Sequence, residues 1–251
     1  MQHFQSNSRL ADDTCRYSGR RTGRAKELEV SDGIHLISRV RGANAYLVES
    51  EESVTVVDTG LPGNAGKILD YVEKAGWHRS DVRMIILTHS DVDHVGSAAR
   101  LRKETGAKIA IHEADAPKVS GEEPWRTAKG VLGLVFRLIG LLMRFNRFRA
   151  DVLVRHSDVF DGLIVVHTPG HTEGSICLYI PGRALFVGDT LLTNHERMLS
   201  LPRKSVSGDL NVAKDSIRKL SQLDYSTLLP GHGPSIEQNA SVVVREFIAH
   251  F

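Results

Sequence analysis

Short apolar runs that end in histidine or aspartate are the feature that most constrains the fold of this 251-residue chain. The run Met84–Leu87 is followed by Thr88–Gly96 (THSDVDHVG), which holds two histidines and two aspartates. A four-residue apolar run bounded by polar residues is typical of a buried strand, and the residues after Gly96, through Glu104, favour a helix. Strand-to-helix loops are where rigid α/β scaffolds display functional side chains. The sequence therefore predicts an α/β fold with a functional loop at this point.

The same arrangement recurs three times further along the chain, at His171, Asp189 and His232. Each of these residues comes just after an apolar run and beside glycine or proline, where a tight turn can fix the direction of a side chain. Turn glycines and prolines alone are ordinary, but their repeated pairing with histidine or aspartate is not. The pattern indicates a site assembled from several strand ends.

Helix capping is the alternative explanation for the polar residues of the first loop. Ser90, Asp91 and Asp93 are all good N-cap residue types and precede the predicted helix. Capping explains neither the histidines nor the later recurrences, so a metal site is the stronger interpretation.

As an ordered set, these motifs resemble the metallo-β-lactamase superfamily of metallohydrolases, especially its glyoxalase II-like and lactonase-like members. The family signature is His-x-His-x-Asp-His, then a lone histidine, a bridging aspartate and a last histidine. Six of the seven matching positions keep the expected residue type; the seven are His89, Asp91, Asp93, His94, His171, Asp189 and His232. The resemblance covers about Gly33 to the C-terminus, and it implies a four-layer αββα sandwich, the metallo-β-lactamase fold. Periodicity alone predicts only an α/β class.

The resemblance also implies a binuclear metal site. One metal ion would be held by His89, Asp91 and His171. The other would be held by Asp93, His94 and His232, with Asp189 bridging the two ions.

Asp91 is the departure from the family pattern, because a second histidine usually stands there. With three aspartates, one bridging hydroxide would neutralise two divalent ions, whereas a histidine at 91 would leave a net positive charge. A neutral cluster is a weaker Lewis acid. Carboxylate is also a harder ligand than imidazole, which favours iron or manganese. Zinc is the first expectation from family frequency, iron or manganese is the alternative, and a mononuclear site is a third possibility.

The function that the resemblance implies is metal-dependent hydrolysis of a small ester, thioester or lactone by a metal-bound hydroxide. Asp93 would orient that hydroxide and pass a proton to the leaving group. Asp58 would orient a ligand histidine, or simply end a strand. Tyr46 and His195 are weaker candidates for contact with the substrate, and a position in the core is the favoured explanation of Tyr46.

Three other functions stay open at this point. Iron-dependent redox chemistry, as in a thiol dioxygenase or a flavodiiron-like enzyme, is the main alternative, because flavodiiron members place a glutamate at the position of Asp91. The chain has no room for their flavin domain. A small phosphodiesterase and a non-catalytic binding module are the less favoured alternatives.

The remaining predictions concern organisation and partners. Residues 1–28 are polar and are predicted to form a flexible extension, and 29–251 the metallo-β-lactamase-like domain, with a helical lid-like insert at about 113–151. Within that insert, 131–149 is apolar and then basic, which fits a buried helix, a lid over an apolar substrate, or a peripheral membrane or dimer contact. The formal charge of +2 gives no reason to expect nucleic acid.

The predicted compartment is the cytoplasm. Two cysteines provide no disulfide framework, and neither a signal peptide nor an uncharged apolar run long enough to span a membrane is present. A small molecule is the expected partner, and the sequence leaves the oligomeric state open.

Overall fold

The computed structural model describes residues 29–124 and 146–250, in which short strands alternate with helices. The strands are β1 (Glu29–Ser31), β2 (Ile34–Leu36), β3 (Tyr46–Glu49), β4 (Val54–Val57), β5 (Val82–Ile86), β6 (Lys108–His112), β7 (Val152–Val154), β8 (Val159–Phe160), β9 (Leu163–His167), β10 (Ile176–Ile180), β11 (Ala184–Gly188), β12 (Leu192–Thr193), β13 (Leu199–Ser200) and β14 (Thr227–Pro230). The α-helices are α1 (Ala65–Lys74), α2 (Val92–Val95), α3 (Ala98–Thr105), α4 (Ala116–Ser120), α5 (Leu210–Leu220) and α6 (Ala240–Ile248). The predicted strand Met84–Leu87 agrees with β5 to within two residues.

Two mixed β-sheets carry the fold. The first has the order β1-β2-β3-β4-β5-β6-β7, antiparallel from β1 to β4 and parallel from β4 to β7. The second has the order β14-β11-β10-β9-β8, in which only β14 and β11 are parallel. Strands β12 and β13 form a separate antiparallel hairpin.

Three apolar layers separate the two sheets and the helices. One lies between the first sheet and α1 and α3, and includes Ile68 and Leu101. A second lies between the sheets, where Tyr46 meets Phe186 edge-on with ring centroids 5.4 Å apart. The third lies between the second sheet and α5 and α6, and includes Ile217. The molecule is thus an αββα sandwich, as predicted.

The local sequence explains how the longer helices form. In α1, the buried residues Ile68 and Val72 are four residues apart and therefore share one face. Helix α5 is capped at its N-terminus by Asp209, whose side chain accepts hydrogen bonds from the backbone N–H groups of Asn211 and Val212. Its buried face packs on the second sheet, at the end where His171 leaves strand β9.

The predicted helix through Glu104 is α3. The predicted loop Thr88–Gly96 is wrong in one respect, because the short helix α2 begins within it at Val92. Helices α2 and α3 are separated at Gly96 and Ser97. Gly96 lies so close to Pro62 that a Cβ atom would come within 2.4 Å of the proline ring. Asp93 and His94 therefore lie on a helical turn, and only His89 and Asp91 lie in the loop before it.

The predicted extension at 1–28 and most of the predicted apolar–basic segment, 131–145, lie outside the described residues. Of the described parts of the insert, α4 contributes Val119 to the core, and Phe148 is also buried there. The three predicted roles of 131–149 stay predictions. Among the described helices, none has the length and apolar character needed to cross a membrane.

Candidate metal centre

All seven predicted metal-binding side chains converge at one edge of the sandwich. The first sheet supplies four of them from the segment that follows β5, and the second sheet supplies one each after β9, β11 and β14. Three sets have ligand atoms within 4.8 Å of one another: His89–Asp91–His171, His89–His94–Asp189 and Asp93–His94–His232. Two of these sets are the two predicted ligand groups.

The first group is built around Asp91. Its Oδ2 atom lies 3.0 Å from Nε2 of His171 and 3.7 Å from Nε2 of His89. Both imidazoles are buried, while the Asp91 side chain is 31% exposed. The aspartate therefore faces the opening of the site and the histidines form its floor.

The second group and the shared aspartate complete the site. Oδ2 of Asp93 lies 3.2 Å from Nε2 of His232. Asp189 reaches three histidines: its Oδ1 is 3.3 Å from Nε2 of His94, and its Oδ2 is 3.7 Å from that of His171 and 3.6 Å from that of His232. Asp189 thus contacts histidines of both groups, which is the position that a bridging ligand requires.

The residues fit a metal cluster on two further observations. Nε2 of His89, Nε2 of His94 and Oδ1 of Asp189 are buried and have no hydrogen-bond partner, which is costly unless another ligand satisfies them. Gly231 leaves room here, because a Cβ atom at this position would lie 2.5 Å from Oδ1 of Asp189 and 2.6 Å from Cε1 of His94. Imidazole and carboxylate donors suit zinc, iron and manganese.

Capping does not explain Asp91. Asp91 occupies the N-cap position of α2, yet its side chain makes no capping hydrogen bond. Its carboxylate instead contacts His171 and His89. The metal-site interpretation of the first loop therefore prevails at this residue.

Hydrogen bonds at Nδ1 prepare three of the histidines for metal binding through Nε2. The Thr88 hydroxyl donates its single proton to Asp58 at 2.7 Å, so it can only accept from Nδ1 of His89, 3.0 Å away. Nδ1 of His94 lies 2.8 Å from the same Asp58 carboxylate. Each ring therefore carries a proton on Nδ1, so Nε2 is the nitrogen that can bind a metal ion once it is deprotonated. As predicted, Asp58 lies against a ligand histidine.

Ser207 acts on His171 in the same way. Its hydroxyl donates to the carbonyl oxygen of Arg203 at 2.9 Å and so accepts from Nδ1 of His171 at 3.2 Å. The sequence did not predict Thr88 or Ser207 as functional. Thr88 follows a predicted strand directly, but Ser207 is 36 residues from His171 and carries no comparable signal.

The electrostatics of the site favour bound positive charge. Burial would raise the pKa of Asp91, but the hydrogen bond from His171 and the nearby His89 imidazole outweigh it and hold this pKa well below its usual value. Burial would lower the pKa of His94, but the nearby carboxylates of Asp58 and Asp189 outweigh it and raise that pKa well above its usual value. Metal ions would replace such protons, so metal binding is expected to release them.

The two candidate substrate contacts are placed differently. Tyr46 is buried, and its hydroxyl donates to the carbonyl oxygen of Pro230 at 2.7 Å, so its placement supports the core alternative. His195 is exposed at the tip of the β12–β13 hairpin. The base of that hairpin touches the site, because the Thr193 N–H donates to the carbonyl oxygen of His232 at 3.3 Å. Substrate contact by His195 stays a prediction.

An αββα sandwich with a histidine–aspartate donor set at one sheet edge defines a class of metal-dependent hydrolases. The chain belongs to the metallo-beta-lactamase superfamily, and residues 38–232 match that family. It is 30% identical over 226 residues to the probable metallo-hydrolase YflN of Bacillus subtilis, covering 82% of this chain and 85% of the relative. It is 32% identical over 190 residues to the hydroxyacylglutathione hydrolase of Cereibacter sphaeroides, covering 75% of this chain and 61% of the relative.

Solved structures show the same fold. The subclass B3 metallo-beta-lactamase BJP-1 of Bradyrhizobium japonicum matches with a TM-score of 0.67 and 21% identity, covering 89% of this chain and 90% of its own. TTHA1623 in a di-iron-bound form matches with a TM-score of 0.62 and 28% identity, over 78% of this chain and 89% of its own. The di-zinc class B3 enzyme LRA-12 from an Alaskan soil metagenome matches with a TM-score of 0.62 and 21% identity, over 81% and 77%. The chain is a probable metallohydrolase, and the similar structures include a di-zinc enzyme and a di-iron-bound form.

Proposed function

We propose that this protein is a binuclear metallohydrolase that cleaves a small ester, thioester or lactone. The observation that carries the proposal is the placement of Asp189, which contacts His171 of one donor group and His94 and His232 of the other. Two divalent ions bound there would activate a water molecule and polarise the substrate carbonyl group. No serine or cysteine nucleophile is required.

The carboxylate of Asp93 is the group proposed to transfer protons. The Asp93 side chain is 36% exposed and lies at the opening, beside His232. Burial would raise its pKa, but the hydrogen bond from His232 outweighs it and lowers that pKa, so the carboxylate is ionised at neutral pH. It can therefore orient a water molecule through Oδ2 and then carry a proton toward the leaving group.

The metal pair is proposed to be zinc, with iron or manganese as the alternative. Zinc is supported by the di-zinc relative LRA-12. Iron is supported by the di-iron form of TTHA1623 and by the Asp91 carboxylate, 3.0 Å from Nε2 of His171, where the family usually has an imidazole. Harder carboxylate ligands shift the preference toward iron and manganese.

The substrate class is proposed from the relatives as well as from the site. The hydroxyacylglutathione hydrolase relative supports a thioester, although the chain spans only 61% of that protein. The proposed substrate is a small molecule and the proposed compartment is the cytoplasm. The free thiol of Cys177 fits a reducing compartment. Burial raises its pKa to about 11, which keeps the thiol unreactive. Iron-dependent redox chemistry is the second candidate, and it is favoured by the same Asp91 carboxylate.

Metal analysis of the wild type and of Asp91→His tests the proposal. We expect about two zinc ions per chain and chelator-sensitive hydrolysis of a thioester, lactone or ester panel in the wild type. If Asp91 is a true ligand, Asp91→His also binds two ions and shifts the preference between zinc and iron toward zinc. Wild type that binds no metal, or binds it without hydrolysing any of the panel, would contradict the proposal.

Oxygen dependence separates the two candidate functions. Protein loaded with iron is assayed for dioxygen consumption with a thiol substrate, beside zinc-loaded protein assayed for hydrolysis. Oxygen consumption that exceeds hydrolysis would replace the hydrolase proposal with the redox one. A wild type with one ion that gains a second in Asp91→His would show that Asp91 leaves the first group unfilled.

A further inference from the structure

Asp115 is a fully buried carboxylate that none of the predicted roles includes. It follows β6 and comes directly before α4, and each of its two oxygens accepts two hydrogen bonds. Oδ2 accepts from the Ser90 N–H at 2.9 Å and from the Thr172 hydroxyl at 2.7 Å. Oδ1 accepts from the Gly174 N–H at 3.1 Å and from Nζ of Lys118 at 3.0 Å. Its hydrogen-bonding capacity is thus largely used.

These contacts join two loops that belong to different sheets. Ser90 lies between His89 and Asp91 in the loop after β5, and Thr172 is next to His171 in the loop after β9. Gly174 packs directly on the Asp115 side chain, since a Cβ atom there would come within 2.7 Å of Asp115. One carboxylate therefore holds together the loops that carry all three ligands of the first metal group.

The ionised state of Asp115 is secured by its surroundings. Burial would raise its pKa, but the Lys118 ammonium and the hydrogen bond from Thr172 outweigh it and lower that pKa. Nζ of Lys118 is itself buried and reaches Glu173 at 3.3 Å and the carbonyl oxygen of Ala114 at 3.3 Å. Charge-assisted hydrogen bonds from backbone N–H groups to a buried carboxylate are strong, which makes this junction rigid.

The second metal group has separate support. His94 is oriented by Asp58. The loop of His232 is held by Asn44, whose side-chain amide donates to the carbonyl oxygens of Pro230 at 3.0 Å and Gly233 at 2.8 Å. None of the described hydrogen bonds of Asp115 reaches Asp58, helix α2 or the loop of His232.

We propose that Asp115 is a positioning residue that sets the spacing of His89, Asp91 and His171, and so controls metal affinity at the first group alone. The inference rests on the proposed binuclear metal site. It assigns to the buried junction a role in loading one of the two ions, which a purely structural salt bridge would not have.

The test uses Asp115→Asn in two backgrounds that each keep one metal group. His232→Ala keeps the first group, and Asp91→Ala keeps the second. Both carboxylate oxygens of Asp115 accept a hydrogen bond from the His171 loop, one from Thr172 and one from Gly174. Because an amide has a single acceptor oxygen, either orientation of the asparagine amide loses one of these hydrogen bonds. Zinc affinity is measured by competition with a chromophoric chelator. We expect a loss of about 10–100-fold in the His232→Ala background and a change of no more than about twofold in the Asp91→Ala background.

Two further variants keep the test decisive. Thr172→Val removes the hydrogen bond from Thr172 to Asp115 with little change in volume. It should also lower zinc affinity in the His232→Ala background alone, and it replaces Asp115→Asn if that variant fails to fold. Lys118→Met removes the ion pair but leaves the ties to Ser90 and Thr172, so it should lower stability with zinc affinity unchanged in both backgrounds. Equal losses in both backgrounds, or no loss in His232→Ala, would overturn the inference. Parent variants that both bind no zinc would instead overturn the binuclear site itself.

Discussion

At the scale of single residues, the surroundings of a histidine decide whether positive charge on its ring is favoured or opposed. His112 ends β6 and stacks on His167, with ring centroids 4.0 Å apart and an interplanar angle of 12°. It is 5% exposed, and its Nδ1 accepts from the Ala114 N–H at 3.2 Å. Burial lowers its pKa, and the neighbouring His167 lowers it further. His112 is therefore held neutral, whereas nearby carboxylates favour positive charge at His94.

This difference predicts a pH dependence of stability. Because the pKa of His112 is lower in the folded than in the unfolded protein, the unfolded protein binds more protons in the window below about 6.5, and stability falls as the pH falls through it. We expect metal-free wild type to lose more free energy of unfolding between pH 7.5 and pH 5.5 than His112→Asn, whose side-chain oxygen keeps an acceptor for the Ala114 N–H. Urea unfolding at the two pH values measures the difference. Parallel losses in both proteins would contradict it.

The sequence predicted the seven metal donors because each follows a short apolar strand, and the ends of neighbouring strands meet at one sheet edge. The histidine tautomers and the junction at Asp115 could not be predicted in this way. They depend on contacts between residues far apart in the chain, such as those of Asp115 with Ser90 and Thr172, which are 25 and 57 residues away. The resemblance supplied the ligand grouping, and geometry supplies the residues that orient it.

At the scale of elements, the two halves of the site are built alike. In the first sheet, β4 is followed by Asp58, and its parallel neighbour β5 is followed by the loop of His89. In the second sheet, β11 is followed by Asp189, and its parallel neighbour β14 is followed by the loop of His232. The similar sequences VVDT and VGDT mark the ends of β4 and β11. Asp58 orients His94, whereas Asp189 contacts both donor groups. Equivalent positions in the two sheets therefore serve different roles.

The break between α2 and α3 yields a prediction about packing. Gly96 lies against the loop before α1, where a Cβ atom would come within 2.4 Å of the Pro62 nitrogen and 2.6 Å of the Leu61 carbonyl carbon. Backbone cannot move as easily as a side chain, so Gly96→Ala should lower the free energy of unfolding by about 1–3 kcal/mol. It should also weaken metal binding, because His94 lies on the displaced turn. Denaturant unfolding and metal titration measure both effects.

Gly66→Ala is the matched control for that substitution. Gly66 is exposed near the start of α1, and a Cβ atom there would meet nothing within 4 Å. Alanine in place of a helical glycine should stabilise the protein, here by about 0.5 kcal/mol because the position is near the helix end. Opposite signs for the two variants support the packing argument, and equal effects would contradict it. The pattern of apolar residues could not reveal this break, because it depends on a loop about thirty-five residues earlier.

At the scale of the whole molecule, the metal centre is a joint between the two sheets. Four of its donors come from the first sheet and three from the second, and the carboxylates of Asp91, Asp93 and Asp189 are gathered close together among them. Ions that bind only the folded protein stabilise it in proportion to the logarithm of their concentration. Because both sheets contribute ligands, that stabilisation should act on the cooperative unfolding of the entire domain rather than on a loop.

Removal of metal should therefore lower the melting temperature. Zinc at a hundredfold excess over the dissociation constant contributes about 2.7 kcal/mol per site, or about 5.4 kcal/mol for two sites, which for a chain of this length corresponds to about 10–20 °C. We expect this difference between zinc-loaded and chelator-treated wild type by calorimetry, in a single transition. Asp189→Asn should abolish most of it, because Asp189 contacts both donor groups. Asp215→Asn makes the same chemical change at an exposed ion pair with Arg218 and should keep the full difference. A loop-only effect would leave the melting temperature of the wild type unchanged on chelation, and a shift that survived in Asp189→Asn would place the metal elsewhere.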